Sequence, residues 1–314
     1  MVKPQNKFLS SSFHLSGILL IDKPEGPSSA QVVQKVKNIL GAKKVGHLGT
    51  LDPFASGLLP LGVNEGTKVA EIFLNVQKGY SGVIALGVET DTQDSTGKVL
   101  KNRPVPPLNE NEIKEIQAAF TGNLLQTPPM FSALKKSGVR LYELARQGQS
   151  VPRAPREIQV DQLRLWKLGA IELGFELLCS KGTYIRTLAA DMGEFLGCGA
   201  HLKSLRRLSC GHLTANQAVP LDEVAPLKER GEIPILSMNQ ALSSLRSVCL
   251  DDASLSRLTM GQQEVLVEVP EPRQGEKLVK LVRLVDSSEN LVALAEWIDD
   301  AGVGHWRLFR VFSS

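Results

Sequence analysis

The 314-residue sequence is poor in cysteine and has no long apolar run. Its four cysteines, at positions 179, 198, 210 and 249, form no Cys-x-x-Cys pair. That argues against a zinc ribbon or a disulfide framework and fits reduced thiols. No run approaches the roughly 20 apolar residues needed to cross a bilayer, so we expect no membrane-spanning helix. Because the first sixteen residues also lack the apolar core of a signal peptide, we predict a cytoplasmic protein.

The sequence also lacks the short motifs that bind common cofactors and metals. No Gly-x-Gly-x-x-Gly follows a predicted strand and no Gly-x-Ser-x-Gly is present, so neither a dinucleotide site nor a hydrolase elbow is indicated. Residues 62–68 lack the Gly-Lys-Ser/Thr ending of a phosphate loop. His47 has no second histidine at a metal-ligand spacing, so we predict no metal site. The net charge of +3 is too small to indicate a nucleic-acid partner by itself.

The composition is that of a soluble globular protein, with 42% hydrophobic and 22% charged residues. Its length allows more than one domain. Residues 1–16 are predicted to form a disordered tail. Ser28 or Ser29, and Asn109 in a capping-box pattern, are predicted to begin helices. From about residue 246 to Ser314, short apolar runs between Gly, Pro and Asp turns predict a small separate β domain, which we interpret as a barrel.

The most informative stretch is residues 46–60, Gly-His-Leu-Gly-Thr-Leu-Asp-Pro-Phe-Ala-Ser-Gly-Leu-Leu-Pro. Its three glycines and two prolines exclude a regular helix or a central strand. It nevertheless carries five large apolar residues, which an exposed loop rarely does: Leu48, Leu51, Phe54, Leu58 and Leu59. We therefore predict a rigid, half-buried loop that presents Asp52 at a fixed place.

Asp52 has two interpretations. An aspartate before proline more often starts a turn. A carboxylate among leucines, however, needs a cationic partner or a proton, which favours a nucleophile or a general base. Arg186 is a candidate partner, because a guanidinium can bind a carboxylate through two parallel hydrogen bonds and keep it ionised. From these residues alone several reaction classes remain open.

Residues 126–157 form a basic segment with interleaved aromatic side chains. Six positive residues stand against two negative ones, with Phe131 and Tyr142 between them. Such a segment suits a surface that grips an RNA backbone. A solvated helical hairpin explains the composition equally well.

The loop at 46–60 closely resembles the catalytic loop of the TruB family of tRNA pseudouridine synthases, and further segments match that family in the same order. They are Gly-Ile-Leu-Leu-Ile-Asp-Lys-Pro (17–24), Lys-Gly-Tyr (78–80) with Thr-Asp-Thr (90–92), Gln-Thr-Pro-Pro-Met-Phe-Ser-Ala-Leu-Lys (126–135), Leu-Tyr-Glu-Leu-Ala-Arg-Gln-Gly (141–148), Lys-Gly-Thr-Tyr-Ile-Arg-Thr-Leu (181–188) and Gly-Ala-His-Leu-x-x-Leu-Arg-Arg (199–207). The resemblance spans residues 17 to about 215 and weakens after residue 246. Leu48 and Thr50 replace small polar residues of the family pattern, which we expect to alter packing and not chemistry.

The resemblance implies a role for each matching residue. Asp52 is the expected nucleophile, Tyr80 stacks on the flipped uracil and handles a proton, and Arg186 pairs with the aspartate. The other expected substrate-binding residues are His47, Lys23, Tyr184, Leu205, Lys135, Lys136, Arg140 and Arg146.

The resemblance also implies a fold and a reaction. We expect an α+β pseudouridine synthase fold: a mixed, largely antiparallel central sheet flanked by helices, with a small C-terminal PUA-like β-barrel. Residues 17–245 are then the catalytic domain, with 126–157 as an RNA-gripping insertion, and residues 246–314 bind RNA. The implied reaction is the conversion of uridine-55 in the T-arm of tRNA to pseudouridine by a monomer with no cofactor, guide RNA or protein partner. Two alternatives are an RNA-binding or tRNA-folding protein without relevant chemistry, and a guide-RNA-dependent synthase.

Overall fold

The computed structural model describes residues 15–136, 138–272, 281–300 and 303–312. In these ranges the α-helices are α1 (Ser29–Leu40), α2 (Ala70–Asn75), α3 (Glu110–Ala119), α4 (Leu141–Arg146), α5 (Ile185–Phe195), α6 (Val224–Arg230), α7 (Met238–Ala241) and α8 (Asp252–Thr259). Short 3-10 helices cover Asn64–Val69, Ala215–Gln217 and Gln263–Glu268. The predicted disordered tail, except for its last two positions, lies outside the described residues.

The strands in the same ranges are β1 (Gly17–Lys23), β2 (Val45–His47), β3 (Ser56–Val63), β4 (Lys78–Leu86), β5 (Val88–Thr90), β6 (Val99–Asn102), β7 (Gly122–Gln126), β8 (Lys135–Lys136), β9 (Val139–Arg140), β10 (Arg156–Lys167), β11 (Glu172–Cys179), β12 (Ala200–Cys210), β13 (Leu213–Thr214), β14 (Val219–Pro220), β15 (Ile235–Leu236), β16 (Ser247–Cys249), β17 (Leu281–Val285), β18 (Leu291–Asp300) and β19 (Val303–Val311).

Of the described strands, eleven form one mixed sheet. Its main order is β14-β1-β3-β12-β4-β11-β10-β7, with β13 on β12, β15 on β1 and β2 on β3. Two of its pairings, β1 with β14 and β12 with β3, are parallel. The others are antiparallel, so the predicted mixed, largely antiparallel sheet is confirmed. This order places β3, β12 and β4 side by side, which brings together segments far apart in the sequence.

Helices cover both faces of this sheet. Successive side chains of a strand point to opposite faces, so a strand that is apolar throughout needs a core on each side. On β1, Leu19 and Ile21 belong to a core formed with α1, α3, α5 and α6. Their neighbours Ile18 and Leu20 belong to a second core formed with α2 and α7. Strand β1 is buried except at the half-buried Asp22, and it ends at the buried Lys23, which it therefore holds in place.

Helix α1 shows how local sequence sets an element beside the later site. The Ser28 hydroxyl accepts from the Gln31 N–H in a capping box, and Gly41 ends the helix with φ of +67°. Every fourth residue from Val32 to Leu40 is buried. Ser28 is therefore the cap, which leaves Ser29 free for another role.

The C-terminal strands form a second sheet with the order β16-β17-β18-β19 and a core shared with α8. Leu294 and Phe312 pack instead with Ile18 of the first sheet, and Lys68 donates to the Val311 carbonyl over 3.2 Å. In the described ranges the four strands follow a single path, so closure into a barrel and the boundary at residue 246 stay predictions. No helix in these ranges is long and apolar enough to span a membrane.

Candidate active site

The loop that carries Asp52 connects β2 to β3, which pair with each other. Leu48 and Leu51 are buried on either side of its first turn. The Ala55 N–H donates to the Asp52 carbonyl over 3.1 Å, and the Leu48 N–H donates to Pro60 over 2.9 Å. A half-buried, turn-rich loop is therefore present at residues 48–55. The prediction that residues 46–60 contain no central strand is wrong, because residues 56–60 begin β3, which lies between β1 and β12 in the sheet.

Neighbouring elements fix the backbone on both sides of Asp52. Before it, the Ser29 hydroxyl donates to the Leu51 carbonyl over 2.7 Å and accepts from the Leu51 N–H over 2.8 Å. After it, the Pro53 carbonyl accepts from the Gly26 N–H over 2.8 Å. The sequence marked Ser29 only as a possible helix cap, so its hold on the loop was missed.

Arg186 contacts Asp52 directly, with 2.9 Å between its Nε and the carboxylate Oδ2. Arg186, in the first turn of α5, is buried, whereas the Asp52 side chain keeps 37% of its surface exposed. The other guanidinium nitrogens donate to the carbonyls of Thr92 over 2.9 Å and of Phe131 over 2.8 Å. The arginine is held from three sides, and the accessible group of the pair is the carboxylate.

Asp94 is a second carboxylate at Arg186, and sequence reasoning missed it. Its Oδ2 lies 3.5 Å from Nη1 of Arg186. The side chain is buried and accepts hydrogen bonds from the Thr92 hydroxyl over 2.7 Å and from the N–H and hydroxyl of Thr96 over 3.0 and 2.6 Å. The acidic, turn-rich stretch around the Thr-Asp-Thr motif was the available signal, but it did not single out this residue.

Tyr80 lies half-buried on β4, opposite Arg207 of the neighbouring β12. Burial raises the pKa of Tyr80 to about 12, and the adjacent Arg207 opposes that rise. The Arg207 guanidinium also donates to the carbonyls of Gly49 and Thr50, three and two residues before Asp52. Arg207 therefore connects the strand of Tyr80 to the loop of Asp52.

Lys23 is completely buried at the end of β1. Its ammonium donates to the carbonyls of Pro24, Pro27 and Pro53 over 2.8, 2.9 and 3.2 Å. Burial lowers the pKa of Lys23 to about 8, and the nearby Asp52 carboxylate acts against that drop. Its contact with Pro53 makes Lys23 a support for the loop that carries Asp52 as well as a charge near that carboxylate.

The other predicted pocket residues lie around the same loop. The Tyr184 backbone is held at both its N–H and its C=O by the Gln126 amide, and burial raises the pKa of its phenol, with Asp52 acting in the same direction. His47, on β2, has a buried Nδ1 with no hydrogen-bond partner among the described residues, and burial lowers its pKa. Leu205 is buried on β12, two residues from Arg207.

The predicted gripping residues lie outside this centre. Instead of a helical hairpin, the segment contains the β8–β9 hairpin followed by the single short helix α4. The four cations are exposed: Lys135, Lys136, Arg140 and Arg146. Two of them flank Tyr142, whose ring centroid lies 5.9 Å from the Arg140 guanidinium and 5.5 Å from that of Arg146. The Phe131 carbonyl joins this segment to Arg186.

Comparison with known proteins identifies the family. The pattern described as "TruB family pseudouridylate synthase (N terminal domain)" matches residues 37–185, and that of the "tRNA pseudouridylate synthase B C-terminal domain" matches residues 186–244. The chain belongs to the TruB family. It is therefore a pseudouridine synthase, as the sequence resemblance predicted.

Two relatives and one solved structure match most of the chain. A tRNA pseudouridine synthase B of Nitrosococcus oceani is 40% identical over 313 residues, 98% of each chain. That of Geobacter sulfurreducens is 41% identical over 308 residues, 95% of this chain and all of the relative. A chain in a Cbf5-Nop10-Gar1 complex superposes with a TM-score of 0.70 at 25% identity, covering 94% of this chain and 85% of the other. The expected pseudouridine synthase fold is thereby confirmed.

Proposed function

We propose that this TruB-family enzyme converts uridine-55 in the TΨC loop of tRNA to pseudouridine, with Asp52 as the nucleophile. The relatives at about 40% identity are named tRNA pseudouridine synthase B, which supports a tRNA substrate. The observation that carries the proposal is the 2.9 Å contact between Asp52 and a buried Arg186. A charge-assisted contact at this distance orients the Asp52 carboxylate, and the 37% of its side chain that is exposed leaves it accessible to an extruded uracil.

The reaction moves one base on one sugar. The Asp52 carboxylate forms a transient bond to the sugar or to the uracil ring, and the N1–C1′ glycosidic bond breaks. The uracil turns, its C5 bonds to C1′, and the transient bond to Asp52 breaks, which regenerates the free carboxylate. The proton displaced from C5 is replaced by one on N1, so the product is an isomer and no co-reactant is consumed. We assign Tyr80 to stacking on the flipped uracil and to proton handling, and His47 to the space that the base leaves. Extruding the base costs on the order of a few kcal/mol, which stacking and phosphate contacts offset.

We further propose that different segments of the chain have different functions. Residues 17–245 form the catalytic domain, and residues 246–314 form an RNA-binding domain. Within the catalytic domain, residues 126–157 close over the RNA and place their exposed cations on phosphates. Lys23, Tyr184 and Leu205 line the base pocket. This division is supported by the exposed basic hairpin and by its link through Phe131 to Arg186.

The protein is proposed to act alone, as a monomer in the cytoplasm, without a guide RNA. Structures of similar fold include an archaeal box H/ACA complex of Nop10 and Cbf5, matched at 23% identity, which shows the fold only. The bacterial relatives, in contrast, match nearly end to end. Activity of the purified chain on a bare tRNA transcript tests this point, and a requirement for a guide or a partner protein would contradict it.

The decisive experiment maps pseudouridine in an unmodified tRNA transcript before and after treatment. The wild-type protein should modify uridine-55, and Asp52→Ala should form no product. The Kd of Asp52→Ala for tRNA should stay within about threefold of the wild-type value, since the substitution removes a reacting group and not a cation that contacts phosphates. Asp161→Asn is the matched control, because among the described residues that carboxylate accepts side-chain hydrogen bonds from Gln77 and Gln159 only. It should be as active as wild type.

Two outcomes would contradict the proposal. Product formation by Asp52→Ala at the wild-type rate would remove the nucleophile assignment. Pseudouridine at another position of the tRNA would leave the enzyme class intact and refute the TΨC-loop assignment. Support of tRNA folding by Asp52→Ala, without product, would contradict neither assignment and would indicate an RNA-folding role alongside catalysis.

A further inference from the structure

Arg207 is a buried cation with no carboxylate partner among the described residues. Its side chain is 1% exposed, and the three hydrogen bonds of its guanidinium all go to backbone carbonyls. Nε donates to Leu58 over 2.7 Å, Nη1 to Thr50 over 3.2 Å and Nη2 to Gly49 over 3.1 Å. Removing an ion from water costs several kcal/mol unless its surroundings compensate it. An apolar side chain could fill this space without that cost, so a buried guanidinium at this position suggests a role that needs its charge or its hydrogen-bond donors.

The three carbonyls lie on both sides of Asp52. Gly49 and Thr50 are in the loop just before it, and Leu58 is on β3, which follows the loop. The backbone of Arg207 also contacts β3, because β12 runs parallel to it with Arg207 opposite Gly57. Gly57 has a φ of +99°, and a Cβ there would lie 2.4 Å from the Arg207 carbonyl. This close approach leaves the loop little freedom relative to β12.

On its other side, Arg207 lies opposite Tyr80 of β4 in the antiparallel register. Directly opposed residues of an antiparallel pair point to the same face and lie within contact distance. The positive charge of Arg207 also acts on the Tyr80 phenol. It lowers the pKa of Tyr80, whereas burial raises that pKa. One side chain thus lies between the residue proposed to attack and the residue proposed to stack and handle the proton.

We propose that Arg207 is a positioning residue for catalysis, whose guanidinium holds the Asp52 loop and the Tyr80 side chain in one fixed arrangement. This inference rests on the proposed function. Asp52 and Tyr80 need not contact each other in the free enzyme, because the Arg207 guanidinium holds the position of both. A planar fork with five donors suits this task better than an ammonium, since it can serve the backbone on both sides of Asp52 and a neighbouring side chain together.

A purely structural role predicts something different, and the chain offers a matched control. Lys78 is a buried cation on the same strand as Tyr80, two residues earlier. Its Nζ donates to the carbonyls of Phe73, Leu74 and Val76 at the end of α2, and to nothing in the catalytic loop. Loss of Lys78 should lower stability without disturbing the placement of Asp52 and Tyr80.

The test measures the single-turnover rate of pseudouridine formation, with enzyme in excess over a tRNA transcript, together with the Kd for tRNA. Arg207→Gln should reduce the rate on the order of 100-fold, the usual effect of misplacing reacting groups by about 1 Å. The Kd should change by less than about threefold, because Arg207 is buried and its side chain does not reach the surface where phosphates would bind. Lys78→Gln should keep the rate within about threefold once the folded fraction is measured by circular dichroism.

A double-mutant cycle with Tyr80→Phe separates positioning from stability. If Arg207 acts through Tyr80, Tyr80→Phe should reduce the rate several-fold less in the Arg207→Gln protein than in the wild type. In the Lys78→Gln protein its effect should equal that in the wild type. Should Arg207→Gln fail to fold, Arg207→Lys, which keeps the charge but not the fork, enters the same cycle and should give an intermediate rate.

Wild-type rates in the folded Arg207 variants, or additive effects of Arg207 and Tyr80 substitutions, would overturn the inference. Both results would leave the proposed function standing, because the wild-type protein would still form pseudouridine. Failure of the wild-type protein to modify tRNA would instead refute the proposed function, and this inference with it.

Discussion

Lys23 is a buried ammonium group whose proton should be visible in the pH dependence of stability. Burial lowers its pKa from 10.5 to about 8 in the folded protein. The unfolded chain therefore holds this proton over a pH range in which the folded protein has released it. Because stability rises with pH wherever the unfolded state binds more protons, Lys23 should make the protein more stable as pH rises from about 8 toward 10.5.

The size of this effect follows from the two pKa values. Below pH 8 both states carry the charge, and the folded state bears the full cost of burying it. Each unit of pKa difference corresponds to about 1.4 kcal/mol, and integrating over the accessible range gives a gain of about 2 kcal/mol between about pH 7 and pH 9.5. In Lys23→Met the group is absent, so this increment should vanish whatever the variant's stability at neutral pH.

The assay is urea unfolding of wild type and Lys23→Met at several pH values in that range, read as the difference between their free energies of unfolding. Lys35→Met, on the exposed face of α1, controls for the loss of a surface lysine. Asp52→Asn adds a second check. The carboxylate opposes the lowered pKa of Lys23, so its removal should make the gain in stability begin at a lower pH.

A stability difference between wild type and Lys23→Met that stays constant across this range would refute the reasoning. It would mean that the Lys23 ammonium keeps its ordinary pKa although it is buried, because its hydrogen bonds to three carbonyls compensate for the loss of water. A difference of the opposite sign, with wild type losing stability relative to Lys23→Met as pH rises, would show that the proton is bound more tightly in the folded state.

Three further predictions concern the loop, its arginine and the basic hairpin. Asp94→Asn should lower the single-turnover rate by about 10- to 100-fold, because it loosens Arg186. The affinity for tRNA should change little, because the Asp94 side chain is buried. Equal rates would contradict this. Ser29→Ala should cost about 1–3 kcal/mol in chemical denaturation, because it leaves two buried backbone groups of Leu51 unpaired; a cost near zero would show that water replaces the hydroxyl. Alanine at any one of the four cations proposed to bind phosphates should reduce the log–log salt slope of tRNA binding by about one, whereas Lys114→Ala on α3 should not. Unchanged slopes for all four variants would show a merely solvated segment. The four cations are Lys135, Lys136, Arg140 and Arg146.

Much of the fold could be predicted because its signals are local. Ser28 begins α1 through a capping box, and Asn109 begins α3 in the same way, as their patterns indicated. The half-buried loop around Asp52 followed from its mixture of glycine, proline and leucine. Closure of the C-terminal strands into a barrel could not be derived in this way, since it depends on pairing between distant strands, which short apolar runs do not specify.

The sequence alone determined which residues are chemically suited to the site and, through a resemblance, which family they belong to. It proposed Asp52 and Arg186 as a pair because a carboxylate among leucines needs a cation. Only the tertiary structure showed that they are in contact, since 134 residues of chain separate them and β-sheet order decides which segments meet. The contacts of Asp94 with Arg186, and of Arg207 with the carbonyls on both sides of Asp52, were likewise visible only in the tertiary structure. An isolated aspartate or arginine in a sequence gives no sign of its burial, and burial is what makes each of them hold another residue in place.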